Sequence, residues 1–152
     1  MNSVIGVISD THGLVRPEAK AVLKNCDAIL HAGDIGKPAV LDELNAIAPL
    51  TAIRGNIDTW AATLPDTEVV EIGGRHIYLL HDVKDLNVDP VAKGFDVVIS
   101  GHSHRPDIRE VDGVLYLNPG SAGPRRFKLP VAVGKLIVDG ADVRAEIVEL
   151  AV

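Results

Sequence analysis

Short β-branched runs alternate with helix-forming segments through the first third of the chain, and this alternation limits the fold more than any other feature. Val4–Ser9, Ala28–His31 and Leu50–Ile53 are predicted strands. Pro17–Lys24 and Pro38–Ala48 lie between them, each with a proline that suits a first helical turn. A strand–helix–strand order predicts parallel strands joined by crossover helices.

The rest of the chain shows a different pattern, because pairs of β-branched runs flank short glycine-containing turns. Gly73-Gly74 and Asp112-Gly113 are two-residue hairpin signals, and a slightly longer turn lies at 139–142. We therefore predict antiparallel pairs here, with one further buried strand and a short helix between them. The predicted segments are Glu68–Ile72 with His76–Leu80, Ile108–Val111 with Val114–Leu117, Val133–Val138 with Val143–Val148, the strand Val97–Ser100 and the helix Asp89–Lys93.

The composition excludes several function classes. With a formal net charge of −6 and only 3% aromatic residues, the chain offers neither a basic face for duplex nucleic acid nor a stacking platform for single strands. No apolar run reaches the ~18 residues of a membrane span, and the lone Cys26 cannot form an intramolecular disulfide. We expect a cytoplasmic protein with a single domain over residues 1–152, whose 47% hydrophobic content builds one core.

Polar residues follow five of the predicted strands at the point where each strand ends. The carboxyl ends of strands in α/β sheets form the edge where ligands bind, so these segments are expected to converge. The polar ends are Ser9–His12, His31–Asp34, Arg54–Asn56, His81-Asp82 and Gly101–His104.

The converging donors would be carboxylates, imidazoles and one amide oxygen. This mixture without thiolate suits Mn²⁺, Fe²⁺, Ni²⁺ or Zn²⁺. The donors are too many for one ion, whereas two ions about 3.5–4 Å apart with a bridging carboxylate would use them all, an arrangement common in phosphoryl-ester hydrolysis. Gly33, Gly55 and Gly101 directly precede donors, where glycine permits a positive φ and close backbone approach.

The ordered motifs Asp10-x-His12, Gly33-Asp34, Gly55-Asn56, His81 and Gly101-His102-Ser103-His104 resemble those of the calcineurin-like metallophosphoesterase superfamily. The resemblance runs from residue 4 to about residue 123. The short length and the segment Leu117–Ser121 after the last motif resemble the small prokaryotic phosphodiesterase-like branch. It implies a four-layer αββα sandwich of two mixed β-sheets flanked by helices.

The same resemblance implies roles for the donors. It predicts a phosphoesterase, most simply a phosphodiesterase, that hydrolyses a small phosphate ester by attack of a dimetal-bound water or hydroxide, with Mn²⁺ as the first expectation and Ni²⁺, Fe²⁺ or Zn²⁺ as alternatives. Asp10, Asp34, Asn56, His81 and His102 would form the catalytic set. Asp10, His12 and His104 would bind the first ion, Asn56, His81 and His102 would bind the second, and Asp34 would bridge them.

Two positions depart from the family pattern. Many relatives carry histidine after the Gly-Asn pair as a general acid, whereas this chain has Ile57. The change favours diesters or activated esters unless Asp58 or another histidine substitutes. Asp82 stands where relatives have glycine, and a polar loop is a simpler explanation than a carboxylate beside the site.

Several other side chains have open roles at this stage. His31 is either a support for the site or a packed structural imidazole, and His76 is expected at the surface. Arg125 and Arg126 either contact a substrate phosphate or are solvated, while Asn118 and Ser121 are expected to shape the adjoining loop. Trp60 either covers the pocket or anchors a core or an interface, and Cys26 is either a buried thiol or a half-exposed one.

Two other functions compete with the phosphodiesterase. A phosphomonoesterase is disfavoured by Ile57. A protein-interaction scaffold is the alternative from another class, since the superfamily includes a retromer subunit that uses this fold for binding, but that branch lacks part of the histidine set present here. The last hairpin offers an edge for a homo-oligomer.

Overall fold

The protein is described by a computed structural model that covers residues 2–152. Ten strands and three α-helices follow one another in an order close to the prediction. The strands are β1 (Asn2–Ile8), β2 (Ala28–His31), β3 (Leu50–Ala52), β4 (Thr67–Ile72), β5 (Arg75–Leu80), β6 (Val97–Ile99), β7 (Asp107–Val111), β8 (Val114–Asn118), β9 (Ala132–Asp139) and β10 (Asp142–Glu149). The helices are α1 (Pro17–Leu23), α2 (Pro38–Asn45) and α3 (Pro90–Lys93), with a 3₁₀ turn at Val83–Asp85.

The strands form two mixed five-stranded sheets. The first sheet has the order β10-β9-β1-β2-β3. Its strands β1, β2 and β3 run parallel to one another, β9 runs antiparallel to β1, and β10 runs antiparallel to β9. In the second, ordered β4-β5-β6-β8-β7, the parallel strands β5, β6 and β8 lie between antiparallel edges. The predicted hairpins and parallel pairs are confirmed.

Apolar side chains form three layers that account for the sandwich. The two sheets pack on each other through residues such as Leu30, Leu79 and Leu136. Helices α1 and α2 cover the outer face of the first sheet, where Leu23 and Leu44 are fully buried. The outer face of the second sheet is covered mainly by the segment 86–95, because α3 is short and buries none of its residues. The expected sandwich of two mixed sheets is confirmed, with a thin fourth layer.

Element boundaries differ from the prediction where tertiary contacts decide them. β1 begins at Asn2 rather than Val4, because its first residues pair with β9, with Asn2 opposite Asp139. α2 ends at Asn45 rather than Ala48, because the side chain of Asn45 accepts a hydrogen bond from the Leu50 N–H (3.3 Å) as the chain turns into β3. Within residues 2–152, no helix is long and apolar enough to cross a bilayer.

Two of the side chains with open roles are placed by the fold. Cys26 is buried, and this burial raises the pKa of its thiol. Trp60 is 38% exposed and therefore does not anchor the core.

His31 is fully buried and fastens the loop after β1 to the loop after β2. The Thr11 hydroxyl donates to the Ile35 carbonyl (2.9 Å), so its oxygen accepts a hydrogen bond from His31 Nε2 (3.0 Å). The Gly33 N–H donates to His31 Nδ1 (3.0 Å). These partners fix the neutral imidazole with its proton on Nε2, because a second proton on Nδ1 would face the Gly33 N–H.

Asp58 fastens the same region to the loop after β3. Its carboxylate is 1% exposed and accepts three backbone hydrogen bonds, from Ile35 (3.0 Å), Gly36 (3.0 Å) and Gly55 (2.8 Å). A buried carboxylate with three N–H donors is well satisfied. The loops after β1, β2 and β3 are thus joined by buried polar contacts.

The His31 network predicts a loss of stability on acidification. Burial lowers the pKa of His31 to about 4. Below the ordinary imidazole pKa of about 6.5 the unfolded chain takes up a proton that the folded chain excludes. The free energy of unfolding should therefore fall by about 3 kcal/mol as the pH drops from 6.5 to 4. Urea unfolding of wild type and His31→Gln at several pH values, with a chelator present, measures this slope.

The variant His31→Gln should show a shallower pH dependence than the wild type, whatever its absolute stability. His76→Gln, which removes a half-buried imidazole at the Gly73-Gly74 hairpin, controls for the loss of an imidazole as such. Equal slopes for wild type and His31→Gln would contradict the assigned tautomer and network.

Candidate metal centre

The loops that follow five strands bring the seven predicted donors to one edge of the sandwich. Asp10 and His12 follow β1, and Asp34 and Asn56 follow β2 and β3. The remaining donors come from the second sheet, with His81 after β5 and both His102 and His104 after β6. Both carboxylates thus come from the first sheet, while the second sheet supplies only imidazoles.

Asp10 is fully buried, and its two oxygens have different surroundings. Oδ2 accepts hydrogen bonds from the Ser9 hydroxyl (2.7 Å) and the His102 N–H (3.0 Å). Oδ1 has no hydrogen-bond partner and lies 3.9 Å from His12 Nε2, 3.9 Å from His81 Nε2 and 3.5 Å from His104 Nε2. Burial, opposed mainly by the Ser9 hydrogen bond, raises the pKa of Asp10.

Asp34 repeats this arrangement beside Asp10. Its Oδ1 accepts a hydrogen bond from the Ile57 N–H (3.2 Å). Its Oδ2 lies 3.2 Å from His81 Nε2 and 3.7 Å from His12 Nε2. Burial would raise the pKa of Asp34, but the facing His81 imidazole outweighs it and lowers the pKa to about 2. Each carboxylate therefore has one oxygen fixed by the protein and one that faces imidazole nitrogens.

His81 is oriented by the backbone. Its Nδ1 donates to the Ala32 carbonyl (2.7 Å), so Nε2 points at the two carboxylates. Burial would lower the pKa of His81, but Asp34 and the Ala32 carbonyl outweigh it and raise the pKa to about 9. An imidazole whose other nitrogen donates to a carbonyl is the usual orientation of a metal-binding histidine.

His104 has the opposite electrostatic environment. Burial, the positive charge of Arg126 and the His12 imidazole lower the pKa of His104 to about 4. It is therefore neutral at pH 7 and keeps a lone pair for a cation. The rings of His12 and His104 lie 5.4 Å apart, and those of His81 and His102 lie 5.2 Å apart.

Six of the donors fall into two groups of three. Within each group the donor atoms lie within 4.8 Å of one another. One group is Asp10, His12 and His104, and the other is Asp34, His81 and His102. Asp34 Oδ2 also approaches His12 of the first group, the position expected of a bridging carboxylate.

The unpaired donor atoms and their spacing fit the binding of divalent cations. Asp10 Oδ1, His12 Nε2, His81 Nε2 and His104 Nδ1 are four of six buried side-chain polar atoms that lack a hydrogen-bond partner in the described chain. Each such atom costs about 1–3 kcal/mol. Donors 3.2–3.9 Å apart are spaced like the ligands of one ion, since two atoms about 2.1 Å from a tetrahedral centre lie about 3.4 Å apart.

Backbone strain is concentrated at the same residues. Five of the seven donors have a left-handed backbone, with φ values of 55° at Asp10, 47° at His12, 56° at Asp34, 71° at His102 and 62° at His104. Such a conformation costs a non-glycine residue about 1–3 kcal/mol and is typical of functional sites. The preceding glycines were predicted to allow a positive φ or a close backbone approach, and of the three only Gly33, with φ of 100°, has a positive φ.

Gly55 and Gly101 are needed for close approach instead. A Cβ on Gly55 would overlap the Asp34 carboxylate, and a Cβ on Gly101 would overlap the Ser9 hydroxyl and lie 2.6 Å from Asp10 Oδ2. Both glycines therefore let another backbone segment pass directly against a candidate ligand.

Asn56 and Asp82 line a cavity of about 300 Å³ that opens beside His81. Asp82 has two roles. Its Oδ1 accepts a hydrogen bond from the Lys84 N–H (3.0 Å) and so begins the 3₁₀ turn, while its Oδ2 lies 3.6 Å from His102 Nε2. The polar-loop interpretation is correct but incomplete, because the carboxylate also reaches the site.

Asn118 and Ser121 hold the surrounding loops. The Asn118 amide donates to the Gly101 carbonyl (3.0 Å), and the Ser121 hydroxyl donates to the Asp10 carbonyl (3.0 Å). Both residues were expected to shape this region. Ser9 was placed among the polar strand ends without a role of its own, and the structure shows that its hydroxyl fixes Asp10.

The departure at Ile57 removes the acid that relatives have at this position. Ile57 is 43% exposed and carries no titratable group, although its N–H orients Asp34. Asp58 cannot replace the missing histidine as the sequence allowed, because its carboxylate is buried and accepts three backbone hydrogen bonds.

Comparisons with known proteins agree with this geometry. Residues 4–140 match the model of the calcineurin-like phosphoesterase superfamily domain. The chain is 38% identical over 158 residues to a "probable metallophosphoesterase" of Methanothermobacter thermautotrophicus, covering 95% of this chain and 91% of that protein.

Solved structures show the same likeness. A structure described as a novel archaeal phosphodiesterase superposes with a TM-score of 0.76 at 26% identity, covering 95% of this chain and 99% of that one. Vps29 of Entamoeba histolytica in complex with Zn²⁺ superposes with a TM-score of 0.75 at 25% identity, covering 96% and 98%. With its ordered motifs, two mixed sheets and cluster of unpaired donors, the chain belongs to the calcineurin-like phosphoesterase superfamily.

Proposed function

We propose that this protein is a phosphodiesterase that depends on two divalent metal ions. Asp10, His12 and His104 would bind one ion, Asn56, His81 and His102 would bind the other, and Asp34 would bridge them. The observation that carries the proposal is the cluster of buried, unpaired donor atoms on Asp10, His12, His81 and His104. Mn²⁺ is the proposed ion, since the three oxygen donors suit it, and Ni²⁺, Fe²⁺ or Zn²⁺ are the alternatives that the four imidazoles also suit.

Bound ions would supply Lewis acidity toward a phosphoryl oxygen and make water a better nucleophile at neutral pH. The chain itself supplies the arrangement. Hydrogen bonds from Ser9 and from the N–H groups of His102 and Ile57 each hold one oxygen of Asp10 or Asp34, so the other oxygen stays directed at the centre. Because these groups are already oriented before the reaction, no energy is spent on orienting them during it. Such preorganisation is the main source of electrostatic catalysis.

The exposed side of the centre sets where the substrate enters. His102 and Asn56 are exposed, whereas Asp10 and His104 are buried. A phosphate ester would therefore approach from the side of His102 and Asn56, above the cavity of about 300 Å³. A cavity of this size accommodates one substituent of a small diester.

The presence of Ile57 where relatives carry a histidine, together with the burial of Asp58, supports a diesterase over a monoesterase. An alkoxide leaving group without a proton donor departs slowly, so substrates with good leaving groups or a strained diester are favoured. The likeness to a structure described as an archaeal phosphodiesterase supports the same choice.

A protein-binding scaffold is the alternative, and the likeness to Vps29 favours it. The retained donors argue for chemistry instead, because a surface that only binds another protein has no need of unpaired donors and strained backbone at one point. Removal of metal would distinguish the two functions, because hydrolysis by a metal-dependent enzyme would stop and binding by a scaffold would not depend on catalysis.

Removal of metal should abolish phosphodiesterase activity. We expect a chelator to eliminate hydrolysis of bis(4-nitrophenyl) phosphate, and separate addition of Mn²⁺, Ni²⁺, Fe²⁺ or Zn²⁺ to restore it to different extents. Metal should also raise the free energy of unfolding, by about 2.7 kcal/mol at a concentration of 100 times Kd. A chelated protein that hydrolyses the diester at the full rate would disprove the proposed mechanism.

Asp34→Asn tests the proposed bridge. The amide keeps the size of the side chain but removes the charge that two cations would share, so we expect metal affinity measured by calorimetry and kcat/KM each to fall at least about 100-fold. Asp142→Asn, which removes an exposed carboxylate on β10, should change neither. If Asp34→Asn still bound two metal ions and kept full activity, Asp34 would not be the bridging ligand.

Ile57→His tests the missing acid. In the wild type, kcat/KM for a series of aryl diesters should fall steeply as the pKa of the leaving phenol rises. A histidine at this exposed position should flatten the dependence and raise the rate most for the poorest leaving groups, whereas Ile57→Asn should not. A flat series in the wild type would reveal an acid that the structure does not suggest.

A further inference from the structure

A second, smaller cavity opens on the other side of the metal centre. Its volume is about 170 Å³, and it is lined by His12, His104, Pro124, Arg125 and Arg126. Two of these five residues are proposed metal ligands of the first group, so whatever fills the cavity would lie next to the reacting phosphate. Its size is below the ~300–1,000 Å³ typical of pockets for larger ligands. It therefore suits a single compact group.

Arg126 gives this cavity its charge. Its side chain lines the cavity together with the imidazoles of His12 and His104. Across residues 2–152, no carboxylate oxygen lies within 4.0 Å of the guanidinium of Arg126, whereas Arg54 pairs with Asp66 at 2.9 Å and Arg75 with Asp96 at 3.4 Å. Arg126 is exposed, and the lack of a carboxylate partner leaves its charge open to an anion beside the candidate metal centre.

The neighbouring Arg125 is used differently. Its guanidinium donates to the backbone carbonyl of Val152 (3.0 Å), which ties the loop to the last described residue of the chain. Of the two adjacent arginines, Arg126 is thus the one with its donors available to a ligand.

The loop that carries Arg126 is fixed to the metal-binding loop at its start. The Ser121 hydroxyl donates to the Asp10 carbonyl (3.0 Å), and Arg16 donates to the Gly123 carbonyl (3.2 Å). Gly123 packs so closely that a Cβ there would overlap the carbonyl oxygen of Thr11. The start of the loop that carries Arg126 is therefore held against the segment of Asp10 and His12. A charge held beside a binding site in this way is suited to contact a ligand, rather than only to keep the surface hydrated.

The two cavities differ in chemistry as well as in size. The cavity of about 300 Å³ contains one arginine, Arg54, whose charge is met by Asp66, and two further carboxylates, Asp82 and Asp85. The smaller cavity contains two arginines and no acid. An anionic substituent would be repelled by the first cavity and attracted by the second, which gives a diester a preferred orientation.

We propose that the cavity formed by His12, His104 and Arg126 is a subsite for a second phosphate group on the substrate, in addition to the phosphate that is hydrolysed. This inference rests on the proposed function, since it places the scissile phosphate at the metal centre. The guanidinium of Arg126 binds the second phosphate through charge-assisted hydrogen bonds, for which arginine is well suited. The substrate class is a phosphodiester with a compact phosphorylated alcohol on one side and a larger polar group on the other.

Equilibrium binding tests the subsite without any turnover. Calorimetry with the Mn²⁺-loaded protein would compare propane-1,3-diphosphonate with propylphosphonate, which lacks the second anionic group. We expect wild type to prefer the diphosphonate, and Arg126→Met to reduce this preference at least about tenfold. Arg126→Lys should retain part of the preference. Arg144→Met, which removes an exposed arginine on β10, should retain all of it.

Hydrolysis provides the second measurement. The ratio of kcat/KM for 4-nitrophenyl ethyl phosphate and for its analogue with a terminal phosphonate on the ethyl group should shift in the same way in Arg126→Met, with circular dichroism as the control for folding. An equal loss for both ligands in Arg126→Met, or an unchanged ratio, would overturn the subsite.

The two proposals fail in different ways. If the diphosphonate preference depends on Arg126 but neither ester is hydrolysed, the subsite stands and the phosphodiesterase proposal falls. If both esters are hydrolysed and the ratio is unaffected by Arg126→Met, the phosphodiesterase stands and the subsite is wrong.

Discussion

Two buried carboxylates that face the same imidazoles are the constraint on which the rest of this structure depends. Asp10 and Asp34 each have one oxygen held by hydrogen bonds. The other oxygen of Asp10 has no hydrogen-bond partner, and the other oxygen of Asp34 faces His81 Nε2 at 3.2 Å. Adjacent buried negative charges are costly unless cations or protons compensate them. The close glycine contacts and the left-handed backbone around them make sense as the means of keeping these oxygens in place for a cation.

The contribution of each sheet explains why the fold and the centre are inseparable. The first sheet supplies both carboxylates and the second supplies imidazoles only, so the centre forms only when the sheets pack face to face. The fully buried layer between them, which includes Ile5, Ile77 and Ile99, sets the spacing. Buried polar contacts at His31 and Asp58 then hold the first three loops independently of any ion.

The sequence was sufficient for the order of elements, the hairpins and the set of candidate donors, because these follow from local periodicity and motif spacing. It misplaced the start of β1, which is decided by pairing with β9, more than a hundred residues away. The roles of His31 and Asp82 could not be decided from the sequence, because they depend on contacts with Thr11 and His102 in other loops. The sequence also assigned a proton-donating option to Asp58 that burial and three N–H donors remove.

The left-handed backbone at the donors has a consequence for how this family can vary. Glycine adopts such φ values freely, and among the other residues asparagine, aspartate and histidine adopt them most often. A substitution of Asp10 or His104 by valine would therefore lose a donor and also disturb the loop, whereas glycine would lose only the donor and asparagine would leave a neutral amide oxygen in its place. Descendants of this chain that abandoned metal binding would be expected to retain small polar residues at these positions, as a trace of the ancestral loop shape.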